Sequence, residues 1–340
     1  MKNLLITLAL FIFTSAFLFS CTTGEEVNIY SSRHYDTDLR LYSDFTDQTG
    51  IRINLIEGSS DELIERIRNE GVNSPADIII TVDAGRLWRA KEAGVMQQHN
   101  SDHLKSVIPE EMRDREGYWI GLSKRVRGII YNRDSINPDE LKGYWELADE
   151  KWEGRVCVRS SNNIYNQSLV ASLIESRGEE SVEEWAAGLV RNFARSPQGG
   201  DTDQIRAVAA GLCDVALANH YYLARLIQSD NASDREVAEN VDIYFPLAEF
   251  GGAHVNISGA GLAANSPNRE NAIRFLEYLA TAEAQMLFAV GNNEFPVMAD
   301  VETPGALGDF GAYESDAVNV SVYGINNPAA IRLMDRVGWR

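Results

Sequence analysis

From residue 27 onward the chain alternates short apolar runs with amphipathic stretches, and the period of each stretch predicts its element. Val27-Asn-Ile-Tyr30 has the pattern of a short strand, and it runs into the polar loop Ser31-Ser-Arg-His-Tyr-Asp36. Leu39, Tyr42 and Phe45 then recur at helical spacing until Gly50, with Asp36 or Thr37 placed to cap the helix. Ile51 to Ile56 alternates as a strand does, and Ser59 with Glu62 makes a capping box for a helix carrying Ile64 and Ile67. Ala76-Asp-Ile-Ile-Ile-Thr81 reads as a strand covered on both faces in a parallel sheet. Strand, helix, strand, helix, strand is the opening of an α/β fold.

A helix is expected over 83–93, while 96–121 carries no regular pattern. Arg127-Gly-Ile-Ile-Tyr131, Arg155-Val-Cys-Val-Arg159 and Val215 to Ala218 read as further strands. Between them lie predicted helices over 144–151, about 166–176, 181–195 and through Ile205 and Val208, so a second α/β unit follows the first. The stretch with Gly251, Gly252, Gly259 and Gly261 reads as the chain crossing back, before two amphipathic helices, one with Ile273, Phe275, Leu276 and Leu279 and one over about 282–290. The predicted architecture is two lobes joined by crossover strands, 27–124 plus about 250–310 and about 125–249 plus about 311–340. A cleft between such lobes is where ligands sit, beyond the carboxyl ends of the strands.

Met1-Lys2-Asn3, the apolar run Leu4 to Phe19 and Cys21 resemble a bacterial lipoprotein signal, with residues 1–20 removed and Cys21 acylated; an ordinary secretory signal is the alternative, because Phe19 is bulkier than a lipobox usually carries. Either way the chain is exported, to the periplasm or cell surface, and meets a membrane only through a lipid anchor. No second apolar run reaches the ~20 residues that span a bilayer. The formal charge of −19 in 340 residues argues against nucleic acid or an anionic membrane as partner. A cation is the more natural guest. Cys157 and Cys213 remain as an even pair in an oxidising compartment, so a disulfide is the first expectation and two buried thiols the alternative.

Three polar loops that follow strands carry tyrosine: His34-Tyr35, Tyr165, and Tyr221-Tyr222 at the start of a helix. One such tyrosine is usually structural. Tyr221 and Tyr222 are adjacent, and adjacent residues in mid-helix point about 100° apart; at a helix start, with Asn219 as N-cap, both lie near the positive end of the dipole. If the four phenols converge, their free pKa of ~10 makes them poor anions unless something strong holds them deprotonated. A trivalent hard cation does that, and the chain lacks the Cys and His density of a zinc or copper site. Four phenolates on Fe(III) leave about one negative charge in excess, which Arg125, Arg127 or Arg225 is placed to offset.

Taken together, Tyr30-Ser-Ser-Arg-His-Tyr35, Ala76-Asp-Ile-Ile-Ile80, Val158-Arg-Ser-Ser-Asn-Asn-Ile-Tyr-Asn-Gln-Ser-Leu-Val-Ala-Ser172, Phe193-Ala-Arg, Gly199-Gly-Asp-Thr-Asp-Gln-Ile-Arg206 and Ala218-Asn-His-Tyr-Tyr-Leu-Ala-Arg225 resemble the ferric-iron-binding substrate-binding proteins of ABC transporters. The match runs from about Val27 to Trp339. It implies the type II periplasmic-binding-protein fold and Fe3+ as transported ligand, in the branch that uses several tyrosines and no synergistic anion. Carried over residue by residue, it implies Tyr35, Tyr165, Tyr221 and Tyr222 as ligands, His34 as a fifth in some relatives, and Arg125 and Arg225 behind them. It also implies a monomer that delivers iron to an ABC permease. His220, in an exposed position, receives no metal role, and His99, His103 and His254 have no supporting spacing.

Two other readings compete. An organic or oxyanion solute would sit in the same cleft against Arg125, Arg225 and the Gly199-Gly200 turn. An exported enzyme would use Asp201, Asp203 and Glu249 as carboxylates, or Ser160 or Ser161 as nucleophile. The chain has no Gly-x-Ser-x-Gly elbow, no His-Glu-x-x-His and no phosphate loop, and Asp201 and Asp203 are more simply helix caps.

Overall fold

Strands β1 (Glu26–Ser31), β2 (Arg52–Glu57), β3 (Ile78–Val82), β4 (Met96–Gln97), β5 (Trp119–Asn132), β6 (Val156–Cys157), β7 (Val215–Asn219), β8 (Val241–Tyr244), β9 (His254–Ala263) and β10 (Phe295–Pro296) form one hydrogen-bonded sheet. The computed structural model describes residues 25–340, so the leader 1–20 and Cys21 lie outside the described residues. The order is β2-β1-β3-β9-β5-β7-β6, with β4 on β9 and with β8 and β10 on β5. Pairing is parallel at the two ends, β2-β1-β3 and β7-β6, and antiparallel in the middle. The class is α/β, as the sequence predicts, but the sheet is mixed because β9 returns antiparallel between β3 and β5.

The middle of the sheet is what joins the halves. The first half of β5 pairs with β9 and β10, and its second half with β7 and β8. One apolar cluster includes Phe45, Ile79, Leu87 and Phe275 and continues along Val126 and Val255 to Ala216 and Ala218. A second, with Trp152, Leu169, Trp185, Leu217 and Trp339, lies on the other side of β7. The C-terminal helix Asn327–Arg336 packs on the helices Ile164–Arg177 and Glu179–Arg191. Among the described residues, no helix is long and apolar enough to cross a membrane.

Several elements differ from the sequence expectation, each for a local reason. β5 runs for 14 residues rather than the five of 127–131. Ser123 and Arg125 break its apolar pattern because they bond other side chains rather than the core, and Lys124 lies between them. The predicted helix over 144–151 is two 3-10 turns, Trp145–Ala148 and Glu150–Trp152, separated by an extended Asp149. Of 155–159 only Val156 and Cys157 join the ladder. Residues 96–121 hold β4, the short helix Asp102–Val107 and the start of β5. Neither predicted cap serves the helix Asp38–Thr49: Thr37 occupies the N-cap position without a capping hydrogen bond, and its hydroxyl bonds Asn292. The capping box of Ser59 and Glu62 is present. Cys157 and Cys213 are joined, with Cα atoms 5.9 Å apart.

Gly259 shows why β9 is glycine-rich. A Cβ there would stand 2.6 Å from both the Ile120 carbonyl oxygen and Leu87 Cδ1, so the strand could not lie this close to β5 and the helix Ala84–Glu92. Gly259→Ala should therefore lower stability by about 1–3 kcal/mol through overpacking, read as a lower denaturation midpoint at unchanged slope. An unchanged midpoint would show that the strands have slack at this point.

Candidate functional site

Three helix N-termini converge on one side of the crossover strands, and each brings tyrosine. Tyr35 lies in the loop after β1, two residues before the N-cap position of Asp38–Thr49. Tyr165 is the second residue of Ile164–Arg177, whose N-cap Asn163 accepts the Tyr165 backbone N–H at 3.1 Å. Tyr221 and Tyr222 lie in the first turn of His220–Ile227, directly after β7. Their rings sit side by side, 4.4 Å apart at 34°. Helix N-termini favour oxygen anions, so the backbone itself suits phenolate at this place.

Arginines tie the four together. Arg125 Nη2 donates to Tyr165 Oη at 3.3 Å and to Tyr221 Oη. The Arg225 guanidinium lies 5.0 Å from the Tyr35 ring centroid, 5.0 Å from that of Tyr221 and 5.7 Å from that of Tyr222. Arg33 covers the Tyr35 ring at 4.7 Å and Arg159 the Tyr165 ring at 5.4 Å. Asn219 caps by position alone; its Nδ2 donates to Tyr221 Oη at 3.3 Å.

Behind the phenols is a buried charge network. Glu294, fully buried, accepts from Arg33 at 2.8 Å, stands 3.4 Å from Arg125 Nε, and takes hydrogen bonds from Ser123 and Ser258. Arg33 also holds Asp38 at 2.7 Å. Asp201, equally buried, pairs with Arg127 at 3.4 Å and Arg159 at 3.0 Å and accepts the Asn219 backbone N–H at 2.8 Å. The balance is Arg33, Arg125, Arg127, Arg159 and Arg225 against Asp38, Asp201 and Glu294, an excess of two positive charges before any phenol ionises.

That excess reaches the phenols unequally. Burial works against a Tyr165 anion, but the Arg125 charge and hydrogen bonds from Tyr221 and Arg125 bring its pKa below the usual phenol value. Burial pushes Tyr222 up to about 12, with the negative charges of Tyr165 and Asp201 adding to it. Tyr221 is raised well above the usual value, by burial first, against the pull of Arg125. Of the three, Tyr165 is the phenol whose anion is most favoured, and its charge raises its neighbours further. Only an added cation of high charge lets the rest ionise together.

The structure thus brings Tyr35, Tyr165, Tyr221, Tyr222, Arg125 and Arg225 into one cluster. His34 stays exposed, with Nδ1 3.2 Å from Glu57 Oε1. His220 corrects the sequence expectation of an exposed residue: it is fully buried, its Nδ1 lies 3.1 Å from both the backbone N and O of Val126, and burial lowers its pKa to about 4. It is part of the packing under Tyr221. The carboxylates considered for catalysis are engaged or remote: Asp201 as above, Asp203 accepting the Gly200 N–H at 2.7 Å, and Glu249 exposed on the 3-10 turn Ala248–Phe250. The Gly200 N–H is thereby taken from any oxyanion. Among the described residues, no three His, Cys, Asp or Glu side chains gather closely enough to hold a metal.

Sequence reasoning missed Arg33, Arg159, Glu294 and Asp83. Asp83 has φ 80° and ψ 123°, a strained backbone for a residue with a side chain. It accepts from Gly85 N at 2.9 Å, Asn256 Nδ2 at 2.8 Å and Ser168 Oγ at 2.7 Å. Ser168 is one turn along the helix that carries Tyr165, so Asp83 fixes that helix against β3 and β9. The one signal in the sequence for Glu294 is an acid set directly before the apolar run Phe295-Pro-Val-Met298.

The description "Bacterial extracellular solute-binding protein" belongs to a family model that matches residues 73–309. "Iron uptake protein A1" of Synechocystis sp. is 50% identical over 321 residues, 94% of this chain and 89% of that protein. "Fe(3+)-binding periplasmic protein" of Serratia marcescens is 27% identical over 320 residues, 94% of this chain and 92% of that protein. A Trichodesmium protein solved in complex with iron and citrate superposes with a TM-score of 0.91 at 56% identity, covering 93% of this chain and all of that one. A ferric binding protein from Campylobacter jejuni superposes at 0.85 with 38% identity, over 92% of this chain and all of the other.

Glu294 is the carboxylate on which the arginines depend, and burial opposes its charge while Arg33, Arg125 and Ser123 hold its pKa down to about 2. A depressed carboxylate contributes stability that is full above its unfolded pKa and fades as pH falls toward the folded one. Glu294→Gln should cost on the order of 3 kcal/mol at neutral pH, with the gap to the native chain closing as pH falls from about 4.5 toward about 2. Denaturation series at several pH values measure this, and a gap that does not vary with pH would mean the charge of Glu294 is not what matters.

Proposed function

Because the chain belongs to the bacterial extracellular solute-binding protein family and folds as its two-lobe ferric-binding members do, we propose that it captures ferric iron outside the cytoplasmic membrane and hands it to an ABC permease. The observation that carries this reading is the convergence of four phenols on three helix N-termini backed by five arginines. Relatives bearing the names "Iron uptake protein A1" and "Fe(3+)-binding periplasmic protein" support it. Fe3+ is cargo here, and no covalent chemistry is required of the chain.

In this proposal Tyr35, Tyr165, Tyr221 and Tyr222 bind the metal as phenolates, with Arg125 and Arg225 offsetting their charge. Tyr35 comes from the lobe of 27–124 plus about 250–310, and the other three from the lobe of 125–249 plus about 311–340. The metal completes its coordination only when the lobes are closed, so iron favours the closed state and closure is what a permease can sense. His34 turns toward Glu57 and serves as a fifth ligand only if it swings inward. The chain acts as a monomer, exported and held by lipid at Cys21, with Cys157–Cys213 as an extracytoplasmic disulfide.

Adding Fe(III) to the protein should produce a visible phenolate-to-iron charge-transfer band, which Tyr222→Phe should shift and weaken along with affinity. A colourless protein that instead binds an oxyanion through Arg125 and Arg225 would favour the competing solute reading.

Each phenol that is protonated in the iron-free protein must lose its proton on binding. The logarithm of apparent affinity should thus fall by about one per pH unit for each such phenol as pH falls. Burial holds Tyr221 and Tyr222 above the ordinary phenol value, so a slope near two or more is expected around neutrality. Iron retention that is flat with pH would rule out phenolate ligation.

A further inference from the structure

Side chains alternate across β5 and β9, and the two faces differ in character. Ser123, Arg125 and Arg127 on β5 and Asn256 and Ser258 on β9 point to the phenol side, where each finds partners. The opposite face carries Val126, Val255 and Ile257, which are apolar and buried, and one charge, Lys124. Lys124 looks into a cavity of about 590 Å³ walled by Val255, Phe295, Val297, Met298 and Tyr313. That volume falls in the range of small-molecule sites.

Lys124 has none of the compensation its neighbours have. Arg125 and Arg127 each meet a buried carboxylate, whereas among the described residues Lys124 Nζ makes no hydrogen bond or ion pair. Nζ lies 5.7 Å from the centroid of the Tyr313 ring. Burial lowers its pKa, and Glu111, exposed at the rim, only partly offsets that. The Tyr313 hydroxyl is itself buried without a partner. Holding an unpaired ammonium against apolar walls costs free energy, and a strand that pairs every other charge with care keeps this one open.

We propose that the cavity is a second binding site, for a small monocarboxylate with an apolar body, its carboxylate paired with Lys124 and its body against Val255, Phe295, Val297 and Met298. One cation calls for one negative charge, and Glu111 at the rim repels a polyanion. The apolar walls call for a hydrocarbon or aromatic body, which excludes inorganic oxyanions and metal ions. The occupant would lie back to back with the phenol cluster, on the strand residue next to Arg125.

Calorimetric titration of the full chain with hexanoate and with 3-phenylpropanoate tests this, with hexanol and hexylammonium as controls. Both acids should bind and neither control should; the tighter acid tells a fatty-chain source from an aromatic one. Lys124→Met should weaken the acids at least tenfold, and Lys124→Arg should retain them within a few fold, both variants being checked for native circular dichroism. Hexanol binding as well as hexanoate, no acid binding at all, or acid binding unchanged in Lys124→Met would each overturn the proposal. If Lys124→Met does not fold, loss of acid binding in Lys124→Arg, which keeps the charge, serves as the overturning result.

Discussion

Phenols resist ionising next to one another, and most of this protein's polar architecture answers that repulsion. Arg125 is the pivot: it touches Tyr165 and Tyr221 on one side and Glu294 on the other. A buried guanidinium facing neutral phenols alone would be under-compensated, and one facing two carboxylates would have no field left for an anion. Sharing Glu294 between Arg33 and Arg125 leaves each arginine part of its charge for the tyrosines. The same device recurs around Asp201, which Arg127 and Arg159 share. Two carboxylates, each split between two arginines, leave the cluster positive on balance while Arg33, Arg125, Arg127 and Arg159 each keep a carboxylate partner; Arg225 lies over the tyrosine rings instead.

Position follows from the sheet. β5 supplies Ser123, Arg125 and Arg127 from successive positions on one face, and its two halves pair with different neighbours. Arg125 and Arg127 therefore stand on the strand that pairs with both parts of the sheet, with tyrosines on either side of them. Tyr35 is carried by the loop after β1, whereas Tyr165, Tyr221 and Tyr222 ride on helices after β6 and β7. Asp83 adds a fixed point, because its side chain bonds both Asn256 on β9 and Ser168 in the tyrosine-bearing helix. The strain of its positive φ is tolerated where three hydrogen bonds over-determine the conformation.

What could be read from the sequence divides along physical lines. Period and punctuation located the helices from Asp38 to Ile227 apart from Asp102–Val107, and the pair Arg269–Leu279 and Ala282–Asn292, but not Ala232–Glu239 or the C-terminal Asn327–Arg336; the capping box of Ser59 and Glu62 and the pause at Gly50 were local signals with local causes. Topological position and the resemblance together picked out the tyrosines, since each follows a strand and opens a helix or loop. The crossover strand was half legible: Arg127 to Tyr131 is apolar enough to be seen, but the polar run Ser123-Lys124-Arg125 hides the rest, with Ser123 and Arg125 committed to the charge network. Glu294 and Arg33 were invisible because nothing local distinguishes a paired buried charge from a solvated one; their pairing joins residues 261 apart in sequence. His220 was misplaced for a related reason. Beside two tyrosines in a polar motif it looks exposed, yet at the first position of a helix packed on β5 it is turned inward against Val126.

Phenol acidity gives the cleft its directionality. With Tyr165 lowered and Tyr221 and Tyr222 raised, the three phenols are unequal, and Tyr165, beside Arg125, is the one whose anion is most favoured. A weakly charged cation gains little there, because each further phenol it recruits must be deprotonated beside an existing anion. Under the proposed function a trivalent ion would reverse the balance, since its field at bonding distance would outweigh both burial and the phenolate neighbours. Selectivity for charge thus needs no dedicated filter: it comes from making the second and third phenolates expensive. In the proposed mechanism, separation of the lobes would take Tyr35 away and admit water to the rest, returning the phenols to the conditions in which they prefer their protons, so that capture and release would be one equilibrium with lobe position as its variable.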